Sequence, residues 1–190
     1  MRALEKNSEK KSSLRKLLLQ KRDSISDDYM TIASKQIQRN LKKISAYVEA
    51  KTVAGYYSTG SEVKTGRIIQ EILAAGKTVA LPRVDGNNIV FCAVNGSEDL
   101  EKGEFDIMEP KTTCPIMEEF DVILVPAIAM TREGQRLGYG KGFYDRFLSH
   151  THAVTIALTY SKLIVKNIPN TDGDVPIQWI VTEDDVIKTS

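Results

Sequence analysis

Residues 120–148, FDVILVPAIAMTREGQRLGYGKGFYDRFL, constrain the fold of this chain more than any other stretch. Positions 122–125 are all valine, isoleucine or leucine, the pattern of a strand buried on both faces. Pro126 closes the strand because it has no N–H to give to a sheet ladder. The sheet therefore delivers the following loop to its edge. In RLGYGKGFYD, Gly138, Gly140 and Gly142 alternate with larger residues. Backbone there can take positive φ and press its N–H groups against an anion, and Lys141 adds a mobile cation. Residues 143–148, beginning Phe143-Tyr144-Asp145, read as a helix, which sets Gly142 at an N-terminus whose unpaired N–H groups favour phosphate. An acid as close to that phosphate as Asp145 calls for a cation between them, and Mg2+ is commonly held by one or two carboxylates plus substrate phosphates. The run is neither GxxxxGK[ST] nor GxGxxG, and from the loop alone a turn whose glycines only satisfy backbone geometry remains open.

The rest of the chain supplies what a doubly buried strand needs. Leu14, Leu17 and Leu18, then Tyr29, Ile32, Ala33, Ile37, Leu41 and Ile44, recur at three- and four-residue steps. They predict two amphipathic helices broken near residues 23–26, with Ser26 as N-cap. VAGYY at 53–57 and TVALP at 78–82 read as strands flanking a helix over 68–75 that Gly76 ends, which implies a parallel crossover. IVFCAV, VILVP, AVTIAL and QWIVT add four more strands. The expected fold is three-layer α/β/α with a mostly parallel, mixed sheet. Ligands in such sheets collect beyond the carboxyl ends of the strands, where Glu62, Arg83 and Lys141 are expected to follow VAGYY, TVALP and VILVP.

At 190 residues and 42% hydrophobic, the chain can bury one sizeable core, so a single domain over 1–190 is expected. A formal net charge of +1 gives no general pull toward nucleic acid or an anionic membrane, so any anion binding must be local. Lys42 and Lys43 form a helix-surface pair without a stacking motif, and no nucleic-acid partner is expected. The N-terminus MRALEKNSEKKSS lacks the apolar core of a signal peptide, and no apolar run approaches the roughly 20 residues of a membrane span. A soluble, cytoplasmic protein with Cys92 and Cys114 reduced is expected. His150 and His152 have no acid or cysteine in zinc spacing and read as surface residues.

The chain resembles the 5-formyltetrahydrofolate cyclo-ligases, also called methenyltetrahydrofolate synthetases, whose hallmark is P-x-x-A-x-x-x-x-G-x-R-L-G-x-G-x-G-x-Y-D. Pro126, Ala129, Gly134, Arg136, Leu137, Gly138, Gly140, Gly142, Tyr144 and Asp145 fall on it. The resemblance continues through KSSLR at 11–15, YYSTGSEVKT at 56–65, LPRV at 81–84 and MEP at 108–110, and so spans nearly the whole chain. It implies an ATP- and Mg2+-dependent closure of 5-formyltetrahydrofolate to 5,10-methenyltetrahydrofolate through a phosphorylated formyl intermediate, in an enzyme that is a monomer or weak dimer.

Residue by residue, the resemblance implies an ATP site from Lys11 and Arg15 together with Arg136, Leu137, Gly138, Tyr139, Gly140, Lys141, Gly142, Phe143 and Tyr144. Of these, Arg136, Lys141 and Tyr144 are implied in catalysis. Glu62, Tyr57, Tyr139, Lys141 and Phe143 are implied in folate binding, and Asp145 with Asp174 in holding Mg2+. The residues themselves are compatible with this. Lys11 and Arg15, four apart on a helix, can turn both heads to one face. Glu62 can accept hydrogen bonds from a donor-rich heterocycle beside Tyr57. Asp174, before Pro176, is also an ordinary turn residue. Ala127, Met130, Thr131, Leu163, Gly173 and Gln178 depart from the family pattern and are expected to bear on substrate preference and rate more than on nucleotide binding. A non-catalytic binder of folate or nucleotide, or an ATP-dependent enzyme acting on another amide or carboxylate, would share the same loop.

Overall fold

The computed structural model describes residues 2–103 and 107–189, with side chains from residue 7 onward. Two helices open the chain, α1 (Arg2–Asp23) and α2 (Asp27–Leu41), and Ser26 caps the second by accepting the Tyr29 N–H. A short α3 (Ser45–Glu49) leads into β1 (Thr52–Ala54), α4 (Gly66–Ala74) and β2 (Thr78–Asp85), the expected parallel crossover, with Gly76 at φ +70° behind the helix. β3 (Asn88–Val94) returns antiparallel to β2. A small ribbon, β4 (Leu100–Lys102) with β5 (Met108–Pro110), and an edge strand β6 (Ile116–Met117) precede the central β7 (Val122–Pro126). The hairpin β8 (Ala129–Met130) and β9 (Arg136–Leu137), helix α5 (Phe143–Leu148), and strands β10 (Val154–Leu158), β11 (Trp179–Val181) and β12 (Val186–Lys188) complete the order.

The eight-stranded sheet runs β12-β11-β10-β7-β1-β2-β3-β6. Its middle is parallel, and β12, β3 and β6 join through antiparallel pairs to β11, β2 and β3 respectively. Alternation along β7 divides the core. Val122 and Leu124 pack with α2 and α4 on one face, while Ile123 and Val125 pack with α5 on the other. That is why the strand reads as continuously apolar: each face has its own helical cover. Cys92 and Cys114 are buried and unpaired, and His150 and His152 are exposed. Among the described residues, no helix is long and apolar enough to cross a membrane.

Three sequence expectations are corrected. Leu17 and Ile32, counted in the apolar stripes, are 61% and 69% exposed: the buried faces run through Leu18 on α1 and through Met30, Ala33, Ile37 and Leu41 on α2, and both residues fall outside them. β2 continues past Pro82, so Arg83 lies within a strand and donates to the Lys111 carbonyl at 3.0 Å instead of opening a loop. β12 follows β11 after a turn that the run QWIVT does not announce.

The β8–β9 hairpin sets the glycine loop in place, and Gly134 in its turn has φ +91°. A Cβ there would stand 2.5 Å from the Ile177 carbonyl oxygen. Gly134→Ala should cost about 3 kcal/mol from combined backbone strain and clash, lowering Tm by roughly 6–12 °C. Gly76→Ala, also at positive φ but in open space, should cost about 1 kcal/mol. Thermal unfolding of both variants by circular dichroism checks the difference.

Candidate active site

The carboxyl ends of β1, β2 and β7 open into a cleft of about 1430 Å3. The loop after β1 brings Tyr57 and Glu62, the hairpin after β7 brings the glycine loop, and α1 crosses above them with Lys11 and Arg15. The Thr171–Asp174 turn closes the far end. Pro82, Val84, Ile89, Ile107 and Met108 give one wall an apolar lining. Ligand pockets for one drug-sized molecule hold about 300–1,000 Å3, so this cleft has room for two substrates side by side.

Cations gather at one end, and carboxylates already hold two of them. Lys11 Nζ lies 2.6 Å from both oxygens of Asp174 and 3.3 Å from Thr171 Oγ1. Arg136 Nη2 donates to Asp145 Oδ2 at 2.8 Å and Nη1 to the Pro126 carbonyl at 3.3 Å, while its Nε is buried without a partner among the described residues. Arg15 Nε donates to the Gly138 carbonyl at 2.7 Å. Lys141 is exposed on the rim, its ammonium in no hydrogen bond or ion pair among the described residues.

The alternating glycines also make room for guanidinium groups. A Cβ on Gly138, Gly140 or Gly142 would come within 3 Å of Arg136, Arg15 or Arg146 respectively. Gly140 and Gly142 have φ of +94° and +69°, as the sequence predicts, whereas Gly138 does not adopt positive φ. Arg146 donates to the Lys141 carbonyl and to Asn88 Oδ1, bracing the loop against the β2–β3 hairpin.

At the other end Glu62 is 6% exposed. Its Oε2 accepts the Thr59 N–H at 2.9 Å and its Oε1 accepts the Tyr139 hydroxyl at 2.7 Å. Tyr57 and Tyr139 present partly exposed rings nearby.

The cleft is thus lined by every residue expected from the sequence except Arg83, held within β2, and Leu137, whose side chain is fully buried in the core. The Tyr144 ring lines the cleft and packs edge-on against Phe91, and its hydroxyl is shut from solvent without a partner among the described residues. Burial and the Glu62 charge push its ionisation far above the ordinary tyrosine range, so it is a neutral phenol. Of the six departures from the family pattern, only Gly173 lines the cleft. Ala127, Met130, Thr131 and Leu163 are buried in the fold, and Gln178 accepts the Thr155 N–H.

Burial alone would raise the Asp174 carboxyl, but hydrogen bonds from Lys11 and Thr171 outweigh it and hold it below the usual range. A carboxyl depressed on folding contributes its full stability above its unfolded pKa, about 3.9, and loses it as pH falls through the folded value. Asp174→Asn should therefore melt about 2–4 °C below wild type at neutral pH. The two curves should converge as pH drops below about 4, a comparison that calorimetry across pH makes directly.

Residues 7–183 match the family model described as the 5-formyltetrahydrofolate cyclo-ligase family. The chain belongs to that family. It is by that membership an enzyme of the cyclo-ligase type. The 5-formyltetrahydrofolate cyclo-ligase of Mycolicibacterium smegmatis is 33% identical over 182 residues, covering 90% of this chain and 93% of the relative. That of Escherichia coli K12 is 28% identical over 176 residues, covering 87% and 96%. Among solved structures, the 5,10-methenyltetrahydrofolate synthetase of Aquifex aeolicus superposes with a TM-score of 0.84 at 35% identity, covering 94% of this chain and 92% of that one. The Mycoplasma pneumoniae synthetase shares the fold, with a TM-score of 0.74 at 22% identity over 91% and 98%.

Sequence reasoning passed over Arg22. It is buried behind Tyr139 and donates to its hydroxyl. Lys11, Arg15, Leu18 and Arg22 follow one another at helical steps along one face of α1, a signal that was available.

Proposed function

We propose that this enzyme closes 5-formyltetrahydrofolate to 5,10-methenyltetrahydrofolate, consuming ATP with Mg2+ and releasing ADP and phosphate. One observation carries the reading beyond family membership: a single cleft joins a cation-rich end to a carboxylate and aromatic end, with volume for both substrates. A formyl amide is a poor electrophile, and ring closure must expel its oxygen. Phosphorylating that oxygen makes it a leaving group, the neighbouring aniline nitrogen attacks the activated carbon and gives up its proton, and phosphate departs.

Phosphoryl transfer needs positioning and charge neutralisation more than a covalent nucleophile. Lys11, Arg15, Arg136 and Lys141 supply positive charge along the phosphate chain, and the 138–142 backbone shapes its seat. Glu62 accepts hydrogen bonds from the pterin ring, which stacks near Tyr57 and Tyr139. Phe143 and the apolar wall flank the remainder of the folate. The donor set fits Mg2+, because Asp145 and Asp174 both face the cleft and no histidine or cysteine lines it. Those two carboxylates would hold it together with phosphate oxygens, and the bound ion would supply neutralisation of the phosphates. Lys11 and Arg136, now paired with the carboxylates, would then turn to the phosphates.

Purified protein mixed with 5-formyltetrahydrofolate, Mg2+ and ATP should develop the near-ultraviolet methenyl chromophore, and the mixture without ATP should not. Absence of the chromophore with ATP present would overturn the assignment.

A further inference from the structure

Arg22 is 4% exposed, does not line the cleft, and bonds to the loops on both sides of it. Its Nε donates to Ser61 Oγ at 2.9 Å, one residue before Glu62, and Ser61 Oγ in turn donates to Asp23 Oδ1 at 2.5 Å. Its Nη2 donates to the Tyr139 hydroxyl at 2.8 Å, and its Cζ stands 5.5 Å from the centre of the Tyr139 ring. Nη1 is buried with no partner among the described residues. Burying a cation with an unsatisfied donor costs stability that an aliphatic side chain would not. Packing alone therefore gives no reason for arginine here.

We infer that Arg22 is a positioning residue for the folate end of the cleft, fixing Tyr139 and, through it, the Glu62 carboxylate that receives the substrate's flat, donor-rich ring. The inference rests on the proposed function and extends it to a residue that cannot touch substrate. A phenol has a single proton, and Arg22 already donates to the Tyr139 oxygen, so that proton is directed to Glu62 Oε1 at 2.7 Å. Burial and the Glu62 charge keep the phenol protonated, so the donor is always present. Thr59 N–H on Oε2 and the Tyr160 hydroxyl on the Glu62 carbonyl fix the rest of the residue. Tyr139, 46% exposed, then offers its ring as a wall that cannot swing freely.

Equilibrium binding of 5-formyltetrahydrofolate and steady-state kinetics on wild type, Arg22→Met, Arg22→Lys, Tyr139→Phe and the Arg22→Met/Tyr139→Phe double variant test it. Arg22→Met should weaken folate binding about ten- to thirtyfold and raise the folate KM in step. kcat and the KM for ATP should stay within about twofold, and Arg22→Lys should recover part of the loss. Tyr139→Phe removes only the hydroxyl and guards against a misfolded Arg22 variant. If Arg22 acts through that hydroxyl, the double variant should bind within about twofold of Tyr139→Phe alone. Additive losses, or folate binding unchanged in Arg22→Met, would overturn the inference while leaving the proposed function standing. A wild type that binds no reduced folate would overturn both.

Discussion

Arg136→Met should lower kcat/KM about a thousandfold while leaving Tm within a few degrees of wild type. The two halves of that result come from one geometry. The Arg136 side chain is 5% exposed; among the described residues it bonds the Asp145 carboxylate and the Pro126 carbonyl and lies over the Tyr144 ring, with Nε unpaired. Desolvating a guanidinium costs several kcal/mol, and this set of partners offsets it incompletely. Methionine removes the cost and fills similar space beside Tyr144. Asp145, with a quarter of its side chain exposed, can recover water. Stability should therefore change by no more than about 1 kcal/mol, whereas the phosphate loses a preorganised cation in a water-poor site. Unfolding and turnover measured on the same preparation decide it. Turnover near wild type would remove Arg136 from the chemistry, and a collapsed Tm would make it structural.

Asp145→Asn should reduce ATP-dependent turnover about a hundred- to a thousandfold and raise the Mg2+ concentration needed for half-maximal rate. Asp145 is the charge partner of a buried arginine, so the amide keeps a hydrogen bond to Nη2 but loses the ion pair, at a cost of about 1–3 kcal/mol. The combination Arg136→Met/Asp145→Asn separates the roles. If Asp145 serves only to neutralise Arg136, the double variant should be no less active than Arg136→Met. If it also holds Mg2+, the double variant should lose at least a further tenfold. Near-normal Mg2+-dependent turnover in Asp145→Asn itself would take that carboxylate out of the metal site.

Both predictions turn on a free enzyme that neutralises itself. Arg136–Asp145 and Lys11–Asp174 each pair a cation suited to phosphate with a carboxylate suited to Mg2+. Lys11 and Asp174 stand 163 residues apart, and nothing in KSSLR or TDGDVP announces that they meet. Arg22, Tyr139 and Glu62 likewise come from three separate loops and helices. Leu137 shows the opposite case. It sits inside the recognisable motif, yet its side chain turns fully into the core, because a motif fixes neighbours along the chain and not the direction each side chain faces.

By itself the sequence determined the doubly buried strand 122–126, the β-α-β crossover, the breaks at Ser26 and Gly76, and a glycine loop that lands at the carboxyl edge of the sheet. These follow from the period of apolar residues and from local backbone sterics, which act over a few residues and leave their mark in the letters. Only the tertiary structure decided which cation meets which carboxylate, that Arg22 stands behind Tyr139, and that Leu17 and Ile32 face away from the core. Those outcomes depend on how distant segments pack, and burial in a low-dielectric interior then makes each pairing consequential.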